Sequence, residues 1–319
     1  MEYLDCGRKG LTNLTDERTW SDRPAVRNLL QKVKTAFAKS RFTEVLHEEY
    51  SRLLEGKFSE RYLVVSFDCD TPEDANAARA VAEWFKDKRI PAVFAVPGKR
   101  MEDAKDVYGA IGKAGFEFLN HGYSEHALYD RERMRYTSKT FYHEMEEEEI
   151  RQDILAGHAC VRSCIEVSPR GFRAPHFGNF QHDEQLGMIY RVLSELGYSY
   201  STTTMPIRGL RKGAIFHVGE GIVEFPLTGT YDHPELILDS WQFLAAPERI
   251  YSEDDYIKQF RKMVDFFSKR DLPCILNYYV DPVHVIHFGG FFSCIEYAID
   301  RGLTPSTYSA ILSELRQDL

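Results

Sequence analysis

The strongest constraint on the fold is a regular alternation of short β-rich runs with amphipathic helical stretches after about residue 60. Residues 62–67 form a run typical of a strand, and residues 72–88 follow with helical periodicity and a proline at the start. Strands that alternate with helices imply parallel pairing with crossover helices. We therefore predict an α/β fold, an irregular (β/α) barrel of about seven parallel strands, for which 319 residues suffice.

The alternation continues along the rest of the chain. Strands are predicted at residues 91–96, 116–119, 171–173, 198–200, near 215, 223–225 and 274–278. Helices are predicted at residues 102–113, 144–165, 182–196, 254–269, 291–301 and 306–315. The segment 123–142 is rich in aromatic and basic side chains and is predicted to be a loop, either an ordinary surface loop or a lid over the substrate.

The first 58 residues lack this alternation. Residues 24–54 carry apolar side chains at helical spacing, which predicts a helical extension that packs on the main domain rather than a mobile tail. We therefore expect an N-terminal helical extension over residues 1–58 and a barrel domain over residues 59–319.

Charge and composition exclude several partners. The chain has 49 acidic and 40 basic residues and a net charge of −9, so it has no field that attracts phosphate backbones, and nucleic acid is not an expected partner. No window approaches about 18 consecutive apolar residues, so no transmembrane segment is expected. The N-terminus lacks the pattern of a secretory signal, and none of the six cysteines forms a CxxC pair. These features favour a cytoplasmic protein of undetermined oligomeric state.

Two carboxylates follow the first predicted strand. Asp68 and Asp70 are two residues apart, so they lie on the same face if the strand continues, at the strand end where barrel enzymes keep their active sites. One could bind a metal ion while the other stays free as a base. The alternative is structural, because Asp70, Thr71 and Pro72 also form a helix N-terminal signal.

Two histidines follow the third predicted strand. His121 and His126 lie in one short loop, and with one carboxylate they could form a metal site that leaves positions open for water and substrate. Their separation of five residues is not the helical spacing of four that would place both imidazoles on one face. His126 is therefore a less secure ligand than His121, and Glu125 is a rival. Local hydrogen bonding is the alternative role.

A third cluster follows the fourth predicted strand, at residues 171–178. Arg173 stands at the strand end, where it could orient a carboxylate by a bidentate contact. An ordinary loop with a surface ion pair is the alternative.

In this order, the three clusters resemble the motifs of the NodB-type polysaccharide deacetylases, carbohydrate esterase family 4. Residues 66–70, Ser-Phe-Asp-Cys-Asp, are similar to the Asp-x-Asp first motif of the peptidoglycan-deacetylase and allantoinase-like branch. Residues 121–126 resemble the second motif, His-(Ser/Thr)-x-x-His, with Glu125 as an extra residue. Residues 173–178 resemble the third motif, Arg-x-Pro-x-Gly, with one extra residue before the glycine. The resemblance covers about residues 62–290.

The resemblance implies roles for these residues. It makes Asp68 the general base, Asp70, His121 and His126 the ligands of one divalent metal ion, and Arg173 the group that keeps Asp68 ionised and aimed. Zinc suits this ligand set, and cobalt, nickel and iron are also possible.

The family's fourth and fifth motifs have weaker counterparts. Asp239, followed by Ser240 and Trp241, resembles the fourth motif, which tunes a histidine, and Asp232 is a rival for Asp239. The predicted strand at residues 275–279 lacks the histidine of the fifth motif, so we predict that His284 supplies the general acid from a loop.

The resemblance implies a metal-dependent amide hydrolase. We expect an N-deacetylase of an N-acetylated sugar in a cytoplasmic surface-polysaccharide precursor, with a small-molecule or sugar substrate that could be nucleotide- or lipid-linked. One alternative is a cyclic imide or ureide amidohydrolase of the allantoinase-like branch. Another is a degenerate domain that binds metal or glycan without catalysis.

Overall fold

The computed structural model describes residues 41–132, 135–219 and 221–315. The chain divides into two compact units, Met1–Glu44 and Val45–Leu319. Most of the predicted N-terminal extension, residues 1–40, lies outside the described residues, so its boundary at residue 58 stays a prediction. The sheet and the site described below lie in the second unit.

The strands are short except for two. They are β1 Arg61–Asp68, β2 Val93–Val96, β3 Glu117–Asn120, β4 Ala127–Asp130, β5 Arg135–Ser138, β6 Gly171–Phe172, β7 Tyr200–Ser201, β8 Phe216–Val218, β9 Ile222–Glu224, β10 Cys274–Val280 and β11 Thr304–Pro305.

Helices connect most of the strands. They are α1 at residues 41–52, α2 Pro72–Lys88, α3 Gly98–Asp103, α4 Lys105–Lys113, α5 Glu147–Ile165, α6 Asp183–Glu195, α7 Pro206–Lys212, α8 Glu253–Arg270, α9 Pro282–Val285, α10 Gly289–Asp300 and α11 Tyr308–Leu315. A 3₁₀ turn at Tyr142–Glu144 and a π-helical turn at Trp241–Ala245 complete the described part. No described helix is long and apolar enough to cross a membrane.

The main sheet confirms the predicted fold class. Its strands run in the order β10-β1-β2-β3-β6-β7-β9-β8, and β11 also pairs with β1. The seven strands from β10 to β9 pair in parallel, whereas β8 is antiparallel to β9. The curled parallel sheet with its crossover helices is the irregular (β/α) barrel that the alternation predicts.

The first strand and helix show why the sequence adopts this order. Nearly every side chain of β1 is buried, because helices cover the outer face of a barrel strand and side chains from the other strands cover its inner face. Helix α2 has the bounds predicted from the sequence. It begins with a capping box between Thr71 and Asp74, has Pro72 in its first turn and ends at Arg89 in a left-handed conformation.

A side chain helps to join the two ends of the barrel. Asn277 on β10 donates from Nδ2 to the carbonyls of Phe225 (3.1 Å) and Pro226 (3.0 Å), just after β9. The backbone N–H of Thr228 donates to the carbonyl of Asn277 at 2.9 Å, and the backbone N–H of Asn277 donates to Thr228 Oγ1 at 2.8 Å. The gap between β9 and β10 is therefore bridged by polar contacts rather than by a regular strand ladder.

Two predicted elements differ from the structure. The segment predicted as a loop at residues 123–142 contains the antiparallel hairpin β4–β5. The helix predicted at 102–113 is two helices, α3 and α4, because Ala104 takes the non-helical angles φ −130° and ψ 39°.

Candidate metal centre and active site

The carboxyl ends of β1, β3 and β6, which lie within four consecutive strands of the sheet, bring the predicted residues together. Asp68 ends β1, and Asp70 follows it by two residues. His121 follows Asn120, the last residue of β3, and Arg173 follows Phe172 of β6. Parallel strands present their carboxyl ends at the same edge, so residues more than 100 positions apart in sequence become neighbours.

One aspartate and two histidines form a cluster that could hold a metal ion. One ligand atom from each of Asp70, His121 and His126 lies within 4.8 Å of the others. Asp70 Oδ1 is 3.5 Å from His121 Nε2 and 3.2 Å from His126 Nδ1. The structure thus brings together all three residues expected to bind the metal ion.

The hydrogen bonding of these side chains fits a divalent metal ion. His121 Nδ1 is 2.8 Å from the carbonyl oxygen of Arg173, which leaves Nε2 for the cluster. Asp70 Oδ1 and both ring nitrogens of His126 are buried and have no hydrogen-bond partner among the described residues. Burial lowers the pKa of His121 to about 3, so its imidazole is neutral near pH 7, as a metal ligand must be.

Asp68 lies beside this cluster and is held by Arg173. Arg173 Nη1 forms an ion pair with Asp68 Oδ1, and Arg173 Nη2 donates to Ser66 Oγ at 2.8 Å and to the hydroxyl of Tyr308 at 3.0 Å. Asp68 Oδ2 is 3.8 Å from His121 Nε2. Burial raises the pKa of Asp68, and the guanidinium of Arg173 opposes this rise. Arg173 therefore fixes the position of the Asp68 carboxyl group next to the cluster, where a general base would stand.

The loop that carries both histidines is fixed by Asp153 on α5. Asp153 Oδ1 accepts hydrogen bonds from the backbone N–H of Ser124 (2.8 Å) and from Ser124 Oγ (2.6 Å), and Asp153 Oδ2 accepts one from the hydroxyl of Tyr142 (2.7 Å). Gly122 has φ +72°, and a Cβ there would lie 2.3 Å from Asp153 Oδ2. Gly122 is therefore needed both for backbone conformation and for space.

The extra residue of the second motif turns away from the cluster. Glu125 Oε1 forms an ion pair with Arg100 Nη2 on α3. The carboxylate of Glu125, which the sequence analysis named as a rival metal ligand, is therefore bound by a guanidinium instead.

His284 lies on α9 and lines the same cleft. Its Nδ1 is 2.8 Å from Asp281 Oδ2 and 3.2 Å from Ser240 Oγ, which leaves Nε2 as the nitrogen that can meet a substrate. Burial alone would lower the pKa of His284, but the charge and hydrogen bond of Asp281 raise it, and the net shift is upward. His284 was expected on a loop, and the structure instead places it on the short helix α9. An imidazole paired in this way would suit a general acid.

The counterparts of the fourth motif lie in different places. Asp239 is buried in the cleft wall, where it accepts hydrogen bonds from the backbone N–H of Gln242 (2.7 Å) and from Gln242 Nε2 (3.0 Å). Burial raises its pKa to about 6. The structure pairs His284 with Asp281 rather than with Asp239. The rival Asp232 is bound by Lys262 Nζ at 2.6 Å and lies outside the cleft lining.

The cleft over the cluster has a volume of about 930 Å³ and a largely acidic and aromatic wall. Trp241 is 44% exposed, and its ring centroid lies 5.9 Å from that of His284. The hairpin β4–β5 forms one side through Tyr129, Arg135 and Tyr136, and its Arg135 Nη1 is 3.3 Å from Glu248 Oε1. The predicted loop thus contributes directly to the candidate site.

Three functional contacts were not predicted from the sequence. Asp281 binds His284, Asp153 holds the histidine loop, and Arg100 pairs with Glu125. Only the first had a local signal, because Asp281 and His284 are three residues apart across Pro282 and so share one side of a helical turn.

Comparisons with known proteins agree with the motifs. Residues 55–200 match the family model described as polysaccharide deacetylase. No curated protein matches the sequence. A putative polysaccharide deacetylase from Mycobacterium smegmatis is similar at a TM-score of 0.59 and 18% identity, over 81% of this chain and 91% of that chain. PuuE allantoinase is similar at a TM-score of 0.61 and 13% identity, over 82% of this chain and 92% of that chain. A probable polysaccharide deacetylase from Pseudomonas aeruginosa is similar at a TM-score of 0.60 and 11% identity, over 80% of this chain and 91% of that chain. At these identities the solved structures establish a shared fold.

Proposed function

We propose that this chain, which belongs to the NodB-type polysaccharide deacetylase superfamily, is a metal-dependent amide hydrolase that removes the acetyl group from an N-acetylated sugar. The observation that carries the proposal is the cluster of Asp70, His121 and His126 next to the ion-paired carboxylate of Asp68. A metal site alone would suit many proteins. A fixed free carboxylate beside it is what hydrolysis of an amide requires.

Asp70, His121 and His126 would hold the metal ion. Two imidazoles and one carboxylate suit Zn²⁺, and Co²⁺, Ni²⁺ and Fe²⁺ accept the same donors. A divalent ion bound there would polarise the amide carbonyl and lower the pKa of a nearby water molecule. The carbonyl of Arg173 fixes the tautomer of His121 through Nδ1, as partners behind metal-bound histidines commonly do.

Asp68 would take the proton from the attacking water. Arg173 keeps its carboxylate in place, because the guanidinium also donates to Ser66 and Tyr308 and lies 5.6 Å and 5.5 Å from the ring centroids of Phe177 and Tyr279. The net reaction adds water across the amide C–N bond and gives acetate and an amine.

His284 would protonate the nitrogen of the leaving amine through Nε2. Asp281 holds the imidazole by Nδ1 and raises its pKa, so His284 keeps its proton to a higher pH than a free imidazole would. Asp239 lies in the wall behind this pair and would act through the local charge rather than by contact with His284.

The substrate proposal rests on the shape and wall of the cleft. A volume of about 930 Å³ lies near the upper end of the range of small-molecule sites, about 300–1,000 Å³, and suits a sugar better than a small ring amide. Exposed Trp241 and Tyr129 offer aromatic faces at its wall. We propose an N-acetylated sugar of a cytoplasmic polysaccharide precursor. The acidic wall favours an uncharged sugar over a nucleotide- or lipid-linked phosphate.

Two alternatives are distinguished by one experiment. The purified protein is analysed for metal content and then incubated with N-acetylated sugars and with cyclic ureides such as allantoin, while acetate and ring-opened product are measured. About one divalent ion per chain with acetate release supports the proposal. Ring opening without acetate release favours the allantoinase-like alternative, and bound metal without either product favours a binding domain. Absence of stoichiometric metal would overturn the proposed centre.

A further inference from the structure

The extra residue in the histidine loop has a dedicated partner. We infer that Arg100 is a positioning residue for the metal centre, because its ion pair with Glu125 holds the extra loop residue outward while His126 presents Nδ1 to Asp70. This inference rests on the metal centre proposed above. It assigns a role to two residues that do not themselves contact the cluster.

The backbone around the extra residue is fixed on the side of the hairpin. The carbonyl of Glu125 accepts a hydrogen bond from Thr140 Oγ1 at 2.8 Å, and the carbonyl of His126 accepts one from the backbone N–H of Lys139 at 2.7 Å. These bonds involve only the backbone, so they do not determine whether the Glu125 side chain points toward the metal cluster or away from it. The orientation of the Glu125 side chain therefore depends on which group binds its carboxylate.

Arg100 is built to bind that carboxylate. Its side chain is only 9% exposed, and its Nε has no hydrogen-bond partner among the described residues. Asp103 provides a second acidic neighbour at 3.3 Å from Nη2, but it is 44% exposed. A nearly buried guanidinium needs a counter-charge, so Glu125 and Arg100 stabilise each other in this arrangement.

The helix that carries Arg100 is joined to the same loop. The backbone N–H of Gly98 donates to the carbonyl of Gly122 at 2.9 Å, and that of Lys99 donates to the carbonyl of Tyr123 at 2.8 Å. A Cβ on Gly98 would lie 2.7 Å from the ring of Tyr123, so the two segments are in close contact. These contacts hold Arg100 in a fixed position beside the loop. Its ion pair with Glu125 therefore restricts the orientation of the next residue, His126.

The next residue is His126, and it faces the cluster with a different nitrogen from His121. His126 Nδ1 is 3.2 Å from Asp70 Oδ1, whereas His121 reaches Asp70 with Nε2. Nδ1 is closer to the backbone than Nε2, so the shorter reach suits a loop that is lengthened by one residue. The Arg100–Glu125 pair and the use of Nδ1 are two parts of one arrangement.

The test compares three variants by their affinity for Co²⁺, whose visible absorption reports the ligand geometry. Arg100→Met and Glu125→Gln each break the pair, and Asp103→Asn removes the other acidic neighbour of Arg100 as a matched control. We expect the first two to weaken Co²⁺ binding by about tenfold or more, and Asp103→Asn to change it by less than about twofold. Thermal unfolding of the metal-free proteins checks that each variant is folded.

A second measurement identifies the ligand nitrogens. In Zn²⁺-loaded protein with ¹⁵N-labelled histidine, the NMR coupling pattern distinguishes a bound Nδ1 from a bound Nε2. We expect Nδ1 for His126 and Nε2 for His121 in the wild type, and an altered His126 pattern or lost occupancy in Glu125→Gln. Unchanged affinity and an unchanged pattern in both pair-breaking variants would overturn the inference, as would Nε2 ligation by His126 in the wild type. Absence of metal binding by the wild type would overturn the proposed function instead.

Discussion

At the scale of single residues, Asp68 is the group that would separate hydrolysis from metal binding in the proposed mechanism. Its carboxylate lies 3.8 Å from His121 Nε2 but is anchored to Arg173. The substitution Asp68→Asn keeps the shape and an oxygen for Arg173 while removing the base. We expect turnover to fall by about 10²–10⁴-fold, with metal content unchanged, since a positioned proton-transfer group is lost. Acetate release and elemental analysis measure the two effects.

Asp232→Asn is the matched control for this prediction. Asp232 is an aspartate of the same unit that is paired with Lys262 outside the cleft. Its loss should leave turnover within about twofold of the wild type, because surface ion pairs contribute little. Turnover in Asp68→Asn within a few-fold of wild type would remove Asp68 from the proposed mechanism.

The pairing of His284 with Asp281 predicts a pH dependence. Asp281 raises the pKa of His284, and a general acid must be protonated, so activity should decline as pH rises through that raised pKa. Asp281→Asn removes the negative charge and lowers the pKa of His284. We therefore expect the alkaline limb of kcat/KM to move to lower pH in this variant. A pH–rate profile in which only the height changes would indicate that His284 is not the acid.

Single residues also show how far sequence reasoning reaches. Asp68, Asp70, His121 and Arg173 could be selected because each follows a predicted strand, and a parallel sheet collects those positions at one edge. Asp153 and Arg100 could not be selected, because they lie on helices and matter only through contacts that the packing creates. Asp281 was close to a predicted residue, yet its role depends on how α9 meets the cleft.

At the scale of elements, β10 helps to close the barrel through one buried polar side chain. This strand lacks the histidine of the family's fifth motif and carries Asn277, which is buried and bonded across the barrel junction. Asn277 Nδ2 also donates to Thr202 Oγ1 at 3.1 Å, and Asn277 Oδ1 accepts from the hydroxyl of Tyr308 at 2.7 Å. Asn277 therefore helps to close the barrel.

This arrangement predicts a large loss of stability in Asn277→Ala. The substitution leaves several buried polar groups without partners, each at a cost of about 1–3 kcal/mol, so we expect the free energy of unfolding to fall by about 3 kcal/mol or more. Thr202→Val, which removes one of these contacts, should cost about 1 kcal/mol. Urea denaturation measures both. Equal midpoints for the wild type and Asn277→Ala would contradict the closing role of Asn277.

Elements differ in how well the sequence predicts them. Helix α2 was predicted with its observed bounds, because a cap, a proline and a buried face all agree over 17 residues. The hairpin β4–β5 was not predicted, because its strands have four residues each and bury none of their side chains fully, so they give no alternation of buried side chains. The break at Ala104 also lacks a glycine or proline to mark it.

At the scale of the whole molecule, the net charge of −9 is concentrated in part at the cleft. Seven carboxylates are found in its lining, namely Asp68, Asp70, Glu73, Asp74, Asp239, Glu248 and Asp281. Among the described lining residues, Arg135 is the one lysine or arginine, and it is paired with Glu248. A metal ion and Arg173 would compensate part of this charge around Asp68 and Asp70, but the outer wall would stay acidic. The cleft should therefore disfavour anionic substrates.

A pair of matched substrates tests this expectation. We compare the methyl glycoside of N-acetylglucosamine with its methyl phosphodiester, which adds one fixed negative charge. We expect a higher KM for the phosphodiester, and a smaller difference in high salt, where charges are screened. Burial raises the pKa of Asp74 to about 7 and of Asp239 to about 6, so the wall gains negative charge as pH rises through neutrality and the discrimination should increase. In Glu248→Gln, which frees Arg135, the KM of the phosphodiester should fall more than that of the neutral glycoside. A lower KM for the phosphodiester in the wild type would instead favour a phosphate-linked sugar as the substrate.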